Sequence, residues 1–215
     1  VVRKPDRKPS RVERIQLWLS RGREVDGLWV GTREAEPHPA LRRVEDALRL
    51  IKSHDALHYY RVIRNLERVW VHLLPSAVAH YNSSLNACVF DERFVLAETT
   101  TLQMIASTII HEATHARLDV WGIDYDETIR YRIEAICLRR ELNFLIKLPD
   151  SEHLQEEIVH TLEWYATKQD YFSDLNNRER DDQGAPEAFR YLGAPDWFVR
   201  CAMWLIRRRH ARASR

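Results

Sequence analysis

No run of apolar residues in this chain is long enough to cross a bilayer, and its opening, Val1-Val2-Arg3-Lys4-Pro5, has no signal-peptide core. Cysteine is scarce: Cys88, Cys137 and Cys201 are odd in number, widely spaced and without a CxxC pair. That argues against a disulfide scaffold and a cysteine zinc site, favours small buried residues, and fits a reducing, cytoplasmic compartment. Charge of one sign is missing too. A formal net charge of +1 provides no overall field for nucleic acid or acidic lipid, so no nucleic-acid partner is expected. Membrane association would need a segment before Val1, for which the basic stretch Arg3 to Arg11 suits a cytoplasmic flank. What is present is 215 residues, 45% hydrophobic and 10% aromatic, enough for one good-sized core.

The chemistry concentrates in Ile109-Ile110-His111-Glu112-Ala113-Thr114-His115-Ala116-Arg117-Leu118. Histidines four residues apart on a helix project from one face, so both imidazoles can reach a single metal ion. Glu112, between them, can face a water activated by that metal and act as general base. Thr100 with Gln103 forms a capping-box pattern and Gly122 a stop, which predicts a helix over roughly 100–120. Because Ile109, Ile110, Ala113 and Leu118 surround the pair, a merely solvated face fits poorly.

Catalytic zinc takes three protein ligands and keeps a position open, so a third ligand is required. After Gly122, the run Asp124-Tyr125-Asp126-Glu127 suits a helix start, and Ile133, Ile136, Cys137, Leu138 and Leu142 recur at helical spacing. Glu134 sits inside that apolar stripe, where a carboxylate is costly unless a cation compensates it. It is the expected third ligand. Glu141, two turns on, has Arg139 and Arg140 beside it, which favours a solvated or ion-paired role, with partner of a ligand as the other candidate role.

His111-Glu112-Ala113-Thr114-His115 followed after eighteen residues by Glu134 resembles the gluzincin arrangement of thermolysin-like and aminopeptidase-type zinc metallopeptidases. The resemblance covers about residues 67 to 145. It implies that His111, His115 and Glu134 bind Zn2+, that Glu112 is the catalytic base, and that the substrate is a peptide or protein. It also implies a zincin-like fold with an edge strand, antiparallel to substrate, shortly before the motif helix; Asn86 to Phe90 is the candidate. An ordinary interior strand is the other reading of that segment. No third histidine follows the motif as metzincins require, and Asp124 and Asp126 lack the aspzincin surroundings. One departure is Leu138, where thermolysin-like members carry an aspartate that orients a histidine; Glu141 or a backbone carbonyl would have to do so here. Gluzincins stabilise the oxyanion with a later Tyr or His. Tyr191, before Leu192-Gly193, is favoured as this catalytic residue over Tyr171, Tyr165 and His160.

In chain order, residues 1–39 read as an N-terminal arm, with an amphipathic helix at Ile15 to Leu19 and a strand or aromatic anchor at Gly27 to Gly31. Residues 40–215 read as one domain. Helices are predicted from Ala40 to about His54 and over Tyr59 to Leu66. Between them, His54-Asp55-Ala56-Leu57-His58 repeats the HxxxH spacing, but aspartate is a short base and no third ligand follows, so surface histidines are expected. Val69 to Leu74, Asn86 to Phe90 and Phe94 to Leu96 are predicted strands, with a turn at Tyr81 to Ser84. Ser151 caps a predicted helix, Asp170 to Pro186 reads as a polar loop, and a last helix from Pro195-Asp196 ends in Arg207-Arg208-Arg209-His210. Strands before helices give an α+β class, mainly helical, with a small sheet packed on the motif helix. The function expected is a zinc-dependent peptidase; the alternative is a catalytically silent metal-binding regulatory or interaction domain.

Overall fold

The computed structural model describes residues 8–34 and 37–213. Residues 1–7, with most of the basic N-terminal stretch, lie outside it, as do the side chains of Arg207, Arg209 and His210 in the arginine-rich end. The fold is α+β. Its sheet comprises β1 (Arg21–Val25), β2 (Leu28–Thr32), β3 (Arg68–His72), β4 (Ala79–Asn82) and β5 (Ala87–Asp91), in the order β1-β2-β3-β5-β4. The inner pairs β2–β3 and β3–β5 are parallel, and both outer pairs are antiparallel. No helix of the described residues is long and apolar enough to cross a membrane.

Alternation along the strands sorts side chains between two faces. Leu28, Val30, Val69, Val71, Cys88 and Phe90 join the main core, while Trp70, Ala87 and Val89 join a smaller cluster on the other face. Helix α1 (Arg11–Leu19) lends Leu17 to that second cluster. The main core is closed by α2 (Pro39–His54), whose Leu41, Val44, Leu48 and Ile51 recur on one stripe, by α3 (Ala56–Asn65) and by the short α4 (Glu92–Leu96). Then come α5 (Leu102–Val120), α6 (Arg130–Leu145), α7 (Glu152–Thr167), a 3-10 turn over Gln169–Phe172, α8 (Asp174–Tyr191) and α9 (Asp196–Ala213).

Several expectations are corrected. Residues 21–32 are not part of an arm: Asp26 and Gly27, both at positive φ, turn a two-residue hairpin that sets β2 beside β3, with Leu28 and Val30 fully buried. Phe94 to Leu96 is helical rather than extended, because the Asp91 side chain accepts from the Arg93 N–H and starts α4. Asn86 to Phe90 is not an edge. The strand it contains, β5, is buried throughout, and the edge is β4, part of which had read as a turn. Asp170 to Pro186 is mostly helix: Ser173 caps α8 by accepting from Asn176 N–H at 3.2 Å. Gly184 inside α8 allows a close approach, since a Cβ there would lie 1.9 Å from the Pro75 carbonyl oxygen.

Candidate metal centre

Helix α5 begins at Thr101, whose hydroxyl accepts from Met104 N–H at 3.2 Å, one residue later than the capping-box reading. It ends at Gly122, at φ +77°, where Gly122 N–H reaches Asp119 O and Ile123 N–H reaches Leu118 O. Between those limits Ile105, Ala106, Ile109, Ala113 and Ala116 face the core and fix the rotation of the helix. His111 and His115 are thereby turned toward α6, with ring centroids 4.9 Å apart.

On α6, Glu134, Cys137 and Glu141 occupy one stripe and are all buried. The His111 and His115 Nε2 atoms are 3.1 Å apart. Glu134 spans both, with Oε2 3.1 Å from His111 Nε2 and Oε1 3.4 Å from His115 Nε2. A tetrahedral ion held at the usual zinc distances needs donor separations of about 3.3 Å; the two imidazoles meet this, and Glu134 approaches each with a different oxygen, as a carboxylate straddling an ion would. Glu141 Oε1 lies 2.5 Å from His111 Nδ1, which leaves Nε2 as the nitrogen that could ligate an ion. Thus the position that Leu138 leaves vacant as an orienting group is taken by Glu141, one turn further along.

The electrostatics agree with this geometry. Three buried carboxylates, Glu112, Glu134 and Glu141, converge on two imidazoles, so that positive charge at the imidazoles, a proton or a divalent cation, is favoured there. Burial alone would raise the Glu134 carboxyl, but hydrogen bonds with His111 and His115 hold it well below the ordinary range. For His115 burial lowers the pKa, and Cys137 and Glu134 outweigh it, taking the ring to about 10. His111 is raised well above its ordinary value by Cys137, Glu141 and Glu134 acting against burial. Glu112 goes the other way: burial lifts it above the usual carboxylate range, as suits a base working near neutrality.

No family model, curated protein or solved structure matches this chain.

These residues open on a cleft of about 1220 Å³, solvent mouth included. One wall is β4 and the loop before it, through Ser76, Ala79, His80 and Tyr81; the opposite wall is Tyr171 with Asn177, Arg180 and Asp181 of α8. Ser76 and Asp181 hydrogen-bond across the cleft. Tyr191 is not brought to it. It lies half-exposed at the end of α8, its hydroxyl donating to Glu92 Oε1 at 3.4 Å, because α8 carries that end away from the metal ligands. Of the other aromatic candidates, Tyr171 lines the cleft, while His160 and Tyr165 line a separate shallow groove.

Two features escaped the sequence. Tyr125 donates a hydrogen bond to Glu134, meets His115 edge-on at 5.3 Å and carries the Arg130 guanidinium over its ring at 4.8 Å. Its place in the connection between the two ligand helices was the available signal. Cys137 is the other, fully buried, with its sulfur and a nitrogen of each histidine all within 4.8 Å of one another.

Proposed function

We propose that this chain is a zinc-dependent peptidase with a zincin-like fold, its ion held by His111, His115 and Glu134. The observation that carries the reading is the set of 3.1–3.4 Å separations among these three side chains, beside a buried Glu112 and an open cleft. When bound, zinc would polarise the scissile carbonyl and lower the pKa of a water toward neutrality. Glu112 accepts the proton released in the attack and passes it to the departing amine nitrogen. Glu141 fixes the tautomer and orientation of His111, and Tyr125 steadies Glu134.

Substrate recognition follows from β4. As the sheet's edge it has one side unpaired by another strand, so an extended peptide lying along the cleft adds a strand through backbone hydrogen bonds. Donors for the developing oxyanion come from the cleft walls, where Tyr171 and Arg180 replace Tyr191 as candidates, the Tyr125 hydroxyl being given to Glu134. Burial and the Glu134 charge raise the Tyr125 hydroxyl far above its ordinary value, so it stays a neutral donor at any working pH.

A second reading has one observation in its favour. Cys137 is an alternative third ligand: its sulfur and one nitrogen each of His111 and His115 all lie within 4.8 Å of one another, and a His-His-Cys set suits a silent, metal-stabilised domain. Zinc content by mass spectrometry, with peptide-library digestion by wild type and Glu112→Gln, separates the two. The peptidase predicts one zinc in both proteins and cleavage by wild type alone. Zinc in both with cleavage by neither supports the silent domain, and zinc-free protein ends both readings.

A further inference from the structure

On a face of α5 beside that of His111 and His115, a second cleft of about 440 Å³, solvent mouth included, lies between α3, α5 and α6. Its floor is apolar, built from Val62, Ile110, Ala113 and Leu118. Three arginines enter it, one per helix: Arg61 from α3, Arg117 from α5 and Arg140 from α6. None of the described residues lining it is acidic, and none of these guanidinium groups forms an ion pair with a described carboxylate. In a chain of net charge +1, three half-buried cations gathered without a counter-ion need an explanation.

Their cost is visible at Arg117. Burial lowers its pKa, and the neighbouring charges of Arg61, Arg140 and Arg64 lower it further. Its guanidinium lies over the Trp121 ring at 4.4 Å, a stack that occupies the flat face and leaves the N–H edge free to donate.

Asn65 and Thr114 also line it, each donating to a carbonyl of its own helix; the other polar group is His58, from the HxxxH repeat that had read as surface histidines. It is instead 5% exposed and lines this cleft. Its Nδ1 sits 2.5 Å from Asp55 Oδ2, a carboxylate also held by Lys147 at 2.6 Å, while its Nε2 is buried with no hydrogen-bond partner. A buried imidazole nitrogen without a partner is costly, and this one belongs to the wall of the arginine cleft.

We propose that this cleft binds inorganic phosphate, with Arg61, Arg117 and Arg140 donating to its oxygens and His58 Nε2 accepting from its hydroxyl. Guanidinium forks match phosphate oxygens in geometry and charge. Nδ1–H donation to Asp55 leaves Nε2 as an acceptor, and a phosphate carrying one proton near neutrality supplies the matching P–OH. Sulfate, unprotonated at that pH, cannot. An anion seated there would tie together the three helices, two of which also carry the metal ligands.

Calorimetric titration of the purified full chain with inorganic phosphate, at fixed ionic strength and pH 7, tests this. One saturable site per chain is expected, with sulfate weaker by about fivefold for the missing hydrogen bond. Arg61→Gln and Arg140→Gln should each weaken phosphate binding by about tenfold or more. Thermal melting without phosphate provides a readout that a structural role would not share: these variants should melt no lower than wild type, since each relieves repulsion. Glu134→Gln, which damages the metal centre, should bind phosphate as wild type does, so the result is independent of the peptidase reading. The proposal is overturned by lack of saturable binding, by equal affinity for sulfate, by undiminished binding in both arginine variants, or by loss of binding in Glu134→Gln alone.

Discussion

Replacing Glu141 by glutamine probes the metal centre without touching an ion ligand. In the folded protein Glu141 Oε1 and His111 Nδ1 are 2.5 Å apart, and both side chains are largely shielded, at 11% and 13% exposure. Solvent screening is therefore weak, and the bond has its charge-assisted strength, roughly twice that of a neutral one. Glutamine keeps the shape and a neutral acceptor oxygen. What disappears is the charge component, about 1–1.5 kcal/mol, or about tenfold in metal affinity; Glu141→Ala, which leaves His111 Nδ1 unpaired, should approach a hundredfold. Competition of the protein with a chromophoric chelator for zinc at constant pH measures this directly. Circular dichroism melts of the same samples show whether the fold is intact. Zinc binding by Glu141→Gln as tight as wild type would refute the reasoning, because the Glu141 charge would then add nothing to His111 as a ligand. Collapse to the level of His115→Ala would refute it from the other side, by making Glu141 a ligand.

Three further outcomes follow from the same structure. Tyr125→Phe removes one hydrogen bond to Glu134 and should weaken zinc by about fivefold in the same competition assay, leaving the stoichiometry at one. Asp55 sits at about 2 against an ordinary 3.8, because hydrogen bonds from Lys147 and His58 outweigh burial; Asp55→Asn should therefore cost about 2 kcal/mol at pH 7 in urea unfolding. That depressed carboxylate stabilises the fold fully above about pH 4 and ceases to as the pH falls through 2, so wild type and variant should converge in acid. Ile109→Ala, at a fully buried position on the core face of α5, should cost about 2–5 kcal/mol by the same method. A loss below 1 kcal/mol would show that α5 is not seated on the core as described.

The sequence by itself determined the local parts. The four-residue spacing of His111 and His115, the glycine stop at Gly122 and the apolar stripe around Glu134 all follow from the helical repeat, which acts within a few positions. The same locality made Val69 to His72 legible as extended chain and α2 as an amphipathic helix. Tertiary structure alone decided which distant groups meet. The bond between His111 and Glu141 spans 30 positions, and that between Lys147 and Asp55 spans 92. Whether β4 or β5 is the edge depends on strand order, and a strand does not carry its neighbours in its own pattern. Helix α8 in turn rests on the close approach of Gly184 to Pro75, which composition reads only as a breaker. The three arginines are unremarkable in sequence, each on its own helix. They become a site only because the packing of α3, α5 and α6 directs them into one cleft, and periodicity within a helix holds no information about the helix beside it.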